Sequence, residues 1–228
     1  MENFEIRFKM ATPIAFGYRK PFAPLMLDGL LTWMLKGDSK EEDLPDVQLP
    51  LEQSGEKHPY YHASAWELVD PEFGTYCFVK TKPDDWAKRF LKTERMLEVI
   101  NYIATPEVVF QARGSRRDVH KIIARTGGVV SLGSKRIAGW GRVNSIQISN
   151  PLPDDYSVWD QYGKPARPIP VAEISREVHG GVVLMPYKPP YWAGEKVPCL
   201  VPSLERWWPG ISEKSIMEIE NQLAKSET

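Results

Sequence analysis

Residues 133–142, GSKRIAGWGR, combine glycines, basic side chains and one tryptophan within a single short loop. Glycine lets a backbone adopt positive φ and approach a ligand closely. Lysine and arginine contact phosphates, and a tryptophan face stacks on a base, which contributes about 1–3 kcal/mol per base. This chemistry is typical of a single-stranded nucleic-acid site. The alternative interpretation is a tight turn whose Trp140 packs into the core.

Two phosphate-binding motifs are close to this loop in spelling, but neither fits. GVVSLGSK (128–135) approaches a P-loop, yet Ser134 and Lys135 stand in the wrong order and no helix follows to direct its dipole at a phosphate. GWGRVN lacks the third glycine of a dinucleotide fingerprint and runs into a strand. The sequence therefore predicts no nucleotide cofactor, and no other cofactor is expected.

Basic residues also precede the loop, in a stretch predicted as a helix. Ser115 is placed to cap a helix over 115–126, with Asp118 completing a capping box and Gly127 ending the helix. Residues 110–142 hold eight basic side chains and one acidic one, which suits a phosphate backbone. A solvated helix face is the plainer alternative. The helix-side candidates for RNA contact are Arg113, Arg116, Arg117 and Lys121.

The sequence contains four histidines, the residues best suited to acid–base catalysis or metal binding. His120, on the basic helix, is the best candidate for a general acid or base, although a solvated side chain is favoured. His58 and His62 are four residues apart, but Pro59 argues against the helix that would direct both at one metal. His179 precedes a glycine pair and is interpreted as structural. No Ser/His/Asp or Cys/His arrangement stands out, so neither an enzyme nor a metal site is predicted.

The whole chain argues for one ordinary globular unit. It has 228 residues, of which 42% are hydrophobic and 26% charged. Because the net charge is only −1, binding to a polyanion would need a local cluster of basic residues. Cys77 and Cys199 are far apart and outside any metal-binding spacing, which favours a reducing, cytoplasmic setting. The first residues, MENFEIRFKM, lack the apolar run of a signal peptide, and no stretch is long enough for a membrane span.

The elements around the loop predict an α+β fold. Alternation of apolar residues predicts strands over 4–10, 106–114 and 142–149, and apolar runs predict helices over 24–35 and 115–126. The repeated strand–helix–strand order favours a ferredoxin-like (RRM-like) split βαβ arrangement.

Composition and hydrophobic period predict the structure of the remaining segments. The sequence predicts strands over 60–69 and 74–82, paired as a hairpin, and a helix over 84–104 begun by Asp84. Residues 36–57 are acid-rich and predicted to be a mobile, solvated insertion. One domain is expected over 1–228, with 150–228 as a Pro- and Trp-rich accessory part ending in a helix over 212–227. In that part Trp192, Trp207 and Trp208 are expected to pack in the core rather than at an interface.

The pattern from VVFQARG through VHKII to LGSKRIAGWGRV resembles the RAMP superfamily of CRISPR-associated RNA-binding proteins. Their hallmark is a basic glycine-rich loop between the last helix and the last strand of a ferredoxin-like fold. The resemblance covers roughly 106–149 and is nearest to the type IV effector subunit of the Cas-five kind, the Csf-three family. It implies RNA contact through the loop residues Gly133, Lys135, Arg136, Gly139, Trp140, Gly141 and Arg142.

The resemblance further implies a non-catalytic subunit that caps the 5′ handle of a CRISPR RNA (crRNA). Its expected partners are the backbone-forming subunit, the large subunit and, near the PAM, target DNA, with no membrane involved. Target sequence would then be read by guide pairing. Two alternatives stay open: a crRNA-processing, metal-independent endoribonuclease using His120, and a scaffold protein whose basic patch docks on an acidic partner.

Overall fold

The computed structural model of this protein describes most of the chain. The described residues are 1–16, 24–36, 47–81, 95–128, 130–178, 180–191 and 194–203.

A four-stranded antiparallel sheet forms the centre of the molecule. Its strands are β1 (Glu2–Met10), β5 (Glu67–Val69), β8 (Glu107–Gly114) and β9 (Val143–Ile148). Their spatial order is β5-β8-β1-β9, and every neighbouring pair is antiparallel. With one helix between β1 and β5 and another between β8 and β9, this connectivity is the split βαβ arrangement. The predicted α+β class is confirmed.

Two helices cover one face of this sheet. They are α1 (Leu27–Lys36) and α2 (Arg116–Arg125), which pack against each other. The alternating residues Phe4, Ile6 and Phe8 of β1 lie in the same buried cluster as Leu31 and Val119 from the two helices. Burial of this apolar surface supplies the main driving force for folding.

The predicted capping of α2 is confirmed. The Ser115 hydroxyl accepts a hydrogen bond from the Asp118 amide and donates one to the Asp118 carboxylate at 2.7 Å. Gly127 follows the helix with φ +64°. Each described helix is only ten residues long, and within the described part of the chain no helix is long and apolar enough to cross a membrane.

A second sheet corrects two predictions. β2 (Ile14–Phe16), β6 (Glu72–Thr81) and β7 (Arg95–Ala104) form an antiparallel sheet in the order β2-β7-β6. The predicted hairpin is wrong, because β5 pairs with β8 whereas β6 pairs with β7. The predicted helix is wrong over 95–104. Its last residues, VINYIA, are rich in β-branched and aromatic side chains, which favours a strand. Residues 82–94, with Asp84, lie outside the described residues.

The acid-rich segment also departs from its prediction in its second half. Leu49 and Leu51 are buried in the main core, and Leu51 bridges to Gly114 at the end of β8. A short ladder then joins β3 (Gln53–Ser54) to β4 (Tyr60–Tyr61). Residues 47–54 are therefore part of the packed structure and not a solvated loop, because their leucines supply apolar surface to the core. Residues 37–46 lie outside the described residues.

The last third of the described chain forms a small sheet of its own. β10 (Ile169–Pro170), β11 (Val182–Pro186) and β12 (Lys196–Leu200) associate in the order β10-β12-β11. A second apolar cluster lies under it, comprising Tyr60, Val158, Ile169, Tyr187, Val197 and Cys199. His179, Trp192, Trp207, Trp208 and the helix predicted over 212–227 lie outside the described residues.

A buried arginine joins this accessory part to the ferredoxin-like part. Arg167, with no exposed surface, donates to Asp28 at the start of α1 at 3.2 Å and to the Tyr187 carbonyl at 2.7 Å. It also donates to the carbonyls of Tyr61 and Ala63. The two parts therefore share one polar centre.

The Tyr191 hydroxyl completes this centre. It donates to the Asp28 carboxylate at 2.8 Å and accepts from Arg167 at 3.1 Å. Burial, followed by the nearby Asp28 charge, raises the pKa of Tyr191 well above its usual value, which keeps the phenol neutral and available as a donor.

Candidate nucleic-acid interface

The glycine loop, residues 133–142, lies between α2 and β9 and is fastened to the segment that follows β1. The Ser134 amide donates to the Ala15 carbonyl at 2.8 Å, and the Gly141 amide donates to the Pro13 carbonyl at 2.7 Å. The Leu132 amide donates to the Gly141 carbonyl, which closes the base of the loop. The loop is thus held at both ends by backbone hydrogen bonds.

Glycines in this loop are favoured by positive φ angles and, at two positions, by close contact with neighbouring backbone atoms. Gly141 has φ +67°, and a Cβ there would lie 1.8 Å from the Leu132 carbonyl oxygen, so internal packing alone demands glycine. Gly133 has φ +80° and faces the Ala15 carbonyl in the same way. A Cβ on Gly139 would meet nothing within 4 Å, although its φ is +88°. Of the three, only Gly139 opens onto space that a ligand could enter.

The basic residues of the loop project outward. Lys135, Arg136 and Arg142 are all exposed, and a 3-10 turn over Arg136–Ala138 places Ile137 fully in solvent. The Arg136 guanidinium lies 4.7 Å from the ring centre of Trp33 on α1, a cation–π contact that orients it. The loop therefore presents its positive charge on a fixed, solvent-facing surface.

Trp140 is neither fully exposed for base stacking nor packed in the core, the two alternatives that the sequence left open. It is half-buried, with its ring centre 6.0 Å from that of Tyr76 on β6 and 5.7 Å from that of Tyr102 on β7. It belongs to neither buried apolar cluster of the described residues. Trp140 instead forms one wall of an open groove.

This groove, which we call the aromatic groove, has a volume of about 500 Å³ and lies between the loop and the β6–β7 hairpin. That volume falls within the roughly 300–1,000 Å³ of small-ligand sites. The aromatic groove is lined by Thr12, Glu72, Phe73, Tyr76, Tyr102 and Trp140, among others. Sequence reasoning missed it because β7 was predicted to be helical. The β-branched and aromatic residues of 99–104 were the signal that could have revealed this wall.

Arg113 and Arg116, two of the helix-side candidates, do not join the loop in one patch. Arg113 pairs with Glu52 at 2.7 Å, and Arg116 donates to the Ser149 carbonyl at 3.0 Å. Both lie at the Glu2 end of the sheet, and Ser149 is the full length of β9, roughly 20 Å, from Arg142. Arg113 and Arg116 thus lie at the opposite end of the sheet from Arg142.

The remaining helix candidates are exposed. Lys121 pairs with Asp118 at 2.7 Å, and this contact, with the Ser115 hydroxyl, lowers the pKa of Asp118. Arg117 and His120 face solvent on α2. Among the described residues, no side chain forms a hydrogen bond or ion pair with His120.

Ser54, His62 and Asp155 form a hydrogen-bonded chain that the sequence analysis did not anticipate. His62 Nε2 lies 2.7 Å from Ser54 Oγ, and His62 Nδ1 lies 2.9 Å from Asp155 Oδ2. This is the connectivity of a Ser-His-Asp triad. It came to light only in three dimensions, because the aspartate lies about a hundred positions further along the chain than the serine.

The surroundings of Ser54, His62 and Asp155 favour a structural role for these three residues. Acyl transfer needs free backbone donors for an oxyanion. The adjacent donors, the amides of Glu56, Lys57 and His58, all bind the Glu173 carboxylate at 2.7–2.9 Å. Burial disfavours the charged form of Asp155, but hydrogen bonds from His62 and Ser157 outweigh it and hold its pKa at about 2.

The two histidines of HPYYH do not meet at a metal. Both ring nitrogens of His62 are engaged by Ser54 and Asp155, whereas the His58 ring packs on Tyr187 at 5.4 Å between ring centres. Among the described residues, no group of three or more potential metal ligands occurs.

Comparison with known proteins gives a likeness to solved structures but none to a family model. No family model matches this sequence, and no curated protein matches it. A chain in the cryo-EM structure of the Type III-B Cmr-beta bound to cognate target RNA superposes with a TM-score of 0.38 and 11% sequence identity. The match covers 64% of this chain and spans 61% of the length of that chain.

Proposed function

We propose that this protein binds single-stranded RNA as a non-catalytic subunit of a type IV CRISPR effector complex, where it caps the 5′ handle of the crRNA. The observation that carries the proposal is the juxtaposition of a fixed loop, its exposed basic residues and the aromatic groove. The motif resemblance of residues 106–149 to RAMP proteins supplies the biological setting.

The physical support comes from what single-stranded RNA requires. Its backbone needs positive charge, which Lys135, Arg136 and Arg142 present on one exposed surface. Its unstacked bases need aromatic faces, which Trp140 and Tyr76 provide beside that surface. A double helix would leave the aromatic faces unused, because its bases are already stacked. The pairing of the two features favours a single strand.

The proposed partners follow from the resemblance. They are a backbone-forming subunit, a large subunit and, near the PAM, target DNA. The protein would act in the cytoplasm, where the crRNA is made. A scaffold function would use the same basic surface for an acidic protein, but it gives no role to the aromatic groove.

The non-catalytic assignment is tested through His120. This side chain is exposed on α2 and is the candidate general base of the endoribonuclease alternative. We expect the wild-type protein and His120→Ala to leave a labelled crRNA repeat intact over equal incubation. Cleavage by the wild-type protein that His120→Ala abolishes would replace the capping role with the endoribonuclease.

The first test of RNA binding is to recover the tagged full-length protein from its host and to sequence the RNA that accompanies it. Short RNAs with a common repeat-derived 5′ end, together with other protein subunits, are expected. Absence of RNA, or recovery of random fragments that moderate salt removes, would refute the handle-capping role.

A second test uses the salt dependence of binding to a labelled single strand. Each phosphate contact contributes about 0.7 to the slope of log affinity against log salt for single strands. Lys135→Ala and Arg142→Ala are each expected to reduce the slope by about that amount. Lys164→Ala, which removes an exposed lysine from a different turn, is the matched control. If Lys135→Ala and Arg142→Ala both kept the salt slope of the wild type and of Lys164→Ala, the loop would not contact the RNA phosphates.

A further inference from the structure

We propose that the aromatic groove holds one unstacked nucleobase of the bound RNA, and that Glu72 makes guanine the preferred base. The inference rests on the proposed function, since the base belongs to the strand that the loop binds. It adds a sequence-reading position to a surface otherwise suited to any single strand.

The floor of the groove is set by the register of β6 and β7. Glu72 pairs with Ala104, and Gly74 pairs with Tyr102. Because side chains alternate along a strand, Glu72 and Tyr76 share a face with Tyr102 and Ala104. At Gly74 a Cβ would lie 2.3 Å from the end of the Tyr102 ring. Because Gly74 has no side chain, the Tyr102 ring can lie over β6 at this position. The Tyr102 ring therefore forms the floor of the aromatic groove.

The walls of the groove suit an aromatic ligand. Tyr76 is 51% exposed, and the Trp140 ring lies beside it on the loop side, with 6.0 Å between the two ring centres. Large exposed aromatic side chains placed side by side are unusual on a soluble surface and mark binding sites. Flat faces of this kind stack with any base, so they supply affinity without selecting a sequence.

Glu72 supplies the selection. It is exposed at the groove, and within the described part of the chain no hydrogen bond or ion pair engages its carboxylate. A carboxylate only accepts hydrogen bonds. Guanine offers two adjacent donors, N1–H and the N2 amino group, which match the two carboxylate oxygens. Adenine and cytosine offer one amino group, and uracil offers one N–H between two carbonyl oxygens. The expected order is guanine first and uracil last.

Thr12 connects the groove to the positive loop. Its hydroxyl donates to the Gly139 carbonyl at 2.8 Å and accepts from the Arg142 amide at 2.8 Å, and it lines the groove. Arg142 thus begins at the rim of the groove, where the phosphate attached to a bound base would leave it. The positive rim compensates for the negative charge of Glu72 and fits a nucleotide better than an apolar peptide or a lipid.

The test measures affinity of the full-length protein for fluorescent heptamers, namely UUUGUUU, UUUAUUU, UUUCUUU and UUUUUUU. A good bidentate contact discriminates by roughly 5-fold to 100-fold. We expect wild-type protein to favour UUUGUUU over UUUUUUU within that range. Glu72→Gln should abolish most of this preference, because the amide turns one acceptor into a donor. Glu177→Gln, an exposed matched control, should retain it.

Stacking is tested separately. Tyr76→Ala is expected to weaken all four heptamers by about tenfold, because stacking on an aromatic face does not select a base. The same variant should leave the salt slope unchanged, since it removes no charge. Tyr76→Phe should bind like the wild type. Tyr162→Ala is the control, since Tyr162 is 77% exposed and does not line the groove.

The outcomes separate this inference from the proposed function. If wild-type protein binds the heptamers through the loop but does not distinguish guanine from uracil, the guanine assignment is overturned. If Tyr76→Ala binds as tightly as wild type while Arg142→Ala binds less tightly, the base lies elsewhere and the groove is not used. If wild-type protein binds no heptamer, the proposed function itself fails.

Discussion

The buried centre around Arg167 and the exposed surface of the glycine loop both contain arginine, but they use it in opposite ways. Arg167 has no exposed surface and donates to Asp28, to Tyr191 and to four backbone carbonyls, those of Tyr61, Ala63, Pro168 and Tyr187. Arg142 is exposed, and among the described residues its guanidinium forms no hydrogen bond or ion pair. One arginine is consumed by the fold, while the other remains available to a ligand.

The difference teaches which positive charges can serve binding. A buried guanidinium loses its hydration and is tolerated only when several acceptors surround it. Such a residue joins parts of the structure and has no capacity left for phosphate. An exposed guanidinium contributes little to stability and keeps its donors free. Arg113 lies between these cases, because it is partly exposed yet paired with Glu52.

The comparison is tested most severely by Arg167→Met. Removing the guanidinium leaves the Asp28 carboxylate buried without its partner, and such losses destabilise by about 3–5 kcal/mol. Denaturant unfolding should show this loss. Combination with Asp28→Asn should cost less than the sum of the two single changes, since the second removes the uncompensated charge. A loss below about 1 kcal/mol would show that Arg167 does not join the two parts.

Gly141→Ala addresses the backbone that holds the exposed charges. The new Cβ would lie 1.8 Å from the Leu132 carbonyl oxygen at φ +67°. We expect a loss of about 1–3 kcal/mol in unfolding free energy. Gly139 also has a positive φ, but an added Cβ there would enter open space. Gly139→Ala should therefore lower the unfolding free energy less than Gly141→Ala. Equal losses in the two variants would mean that packing against Leu132 does not fix the loop.

Asp155 provides a partly buried case that can be titrated. Its pKa of about 2 is below its ordinary value, so the ionised form is stabilised by folding. This contribution is fully present above the unfolded pKa of about 3.9 and is lost as the pH falls through about 2. The gap in unfolding free energy between wild type and Asp155→Asn should therefore narrow over that window. A gap independent of pH there would contradict the assignment.

Arg142→Ala should have the smallest effect on stability. Surface substitutions of this kind usually change unfolding free energy by less than about 0.5 kcal/mol. Thermal unfolding compared with Lys164→Ala gives the measurement, since both residues are exposed. A larger loss for Arg142→Ala would mean that this guanidinium is engaged by the fold, and the contrast with Arg167 would no longer hold.

Local signals accounted for what the sequence predicted well. Ser115, Asp118 and Gly127 define α2 through contacts within a few residues, and alternation of Phe4, Ile6 and Phe8 defines β1. These features depend on short-range geometry, which a sequence displays directly. The split βαβ order then followed from counting elements.

Long-range contacts account for what the sequence did not reveal. Arg167 lies in a proline-rich stretch, ARPIP, that gives no sign of a partner at Asp28. The aromatic groove needs β6 and β7 to pair and Trp140 to return from a distant loop. Likewise, Arg116 and Arg142 belong to the same basic stretch of the sequence. Arg116 nevertheless lies at the opposite end of the sheet, because the chain crosses the full length of the sheet between the two residues.

The backbone hydrogen bonds at Ser134 and Gly141 have a consequence for the kinetics of association. A loop that is already ordered loses little conformational entropy when a ligand arrives. Encounter is then limited by diffusion and by the attraction between the strand and the basic surface, and both partners meet without a slow rearrangement on the protein side. Differences among RNA sequences should accordingly appear in how long a strand remains bound rather than in how fast it arrives.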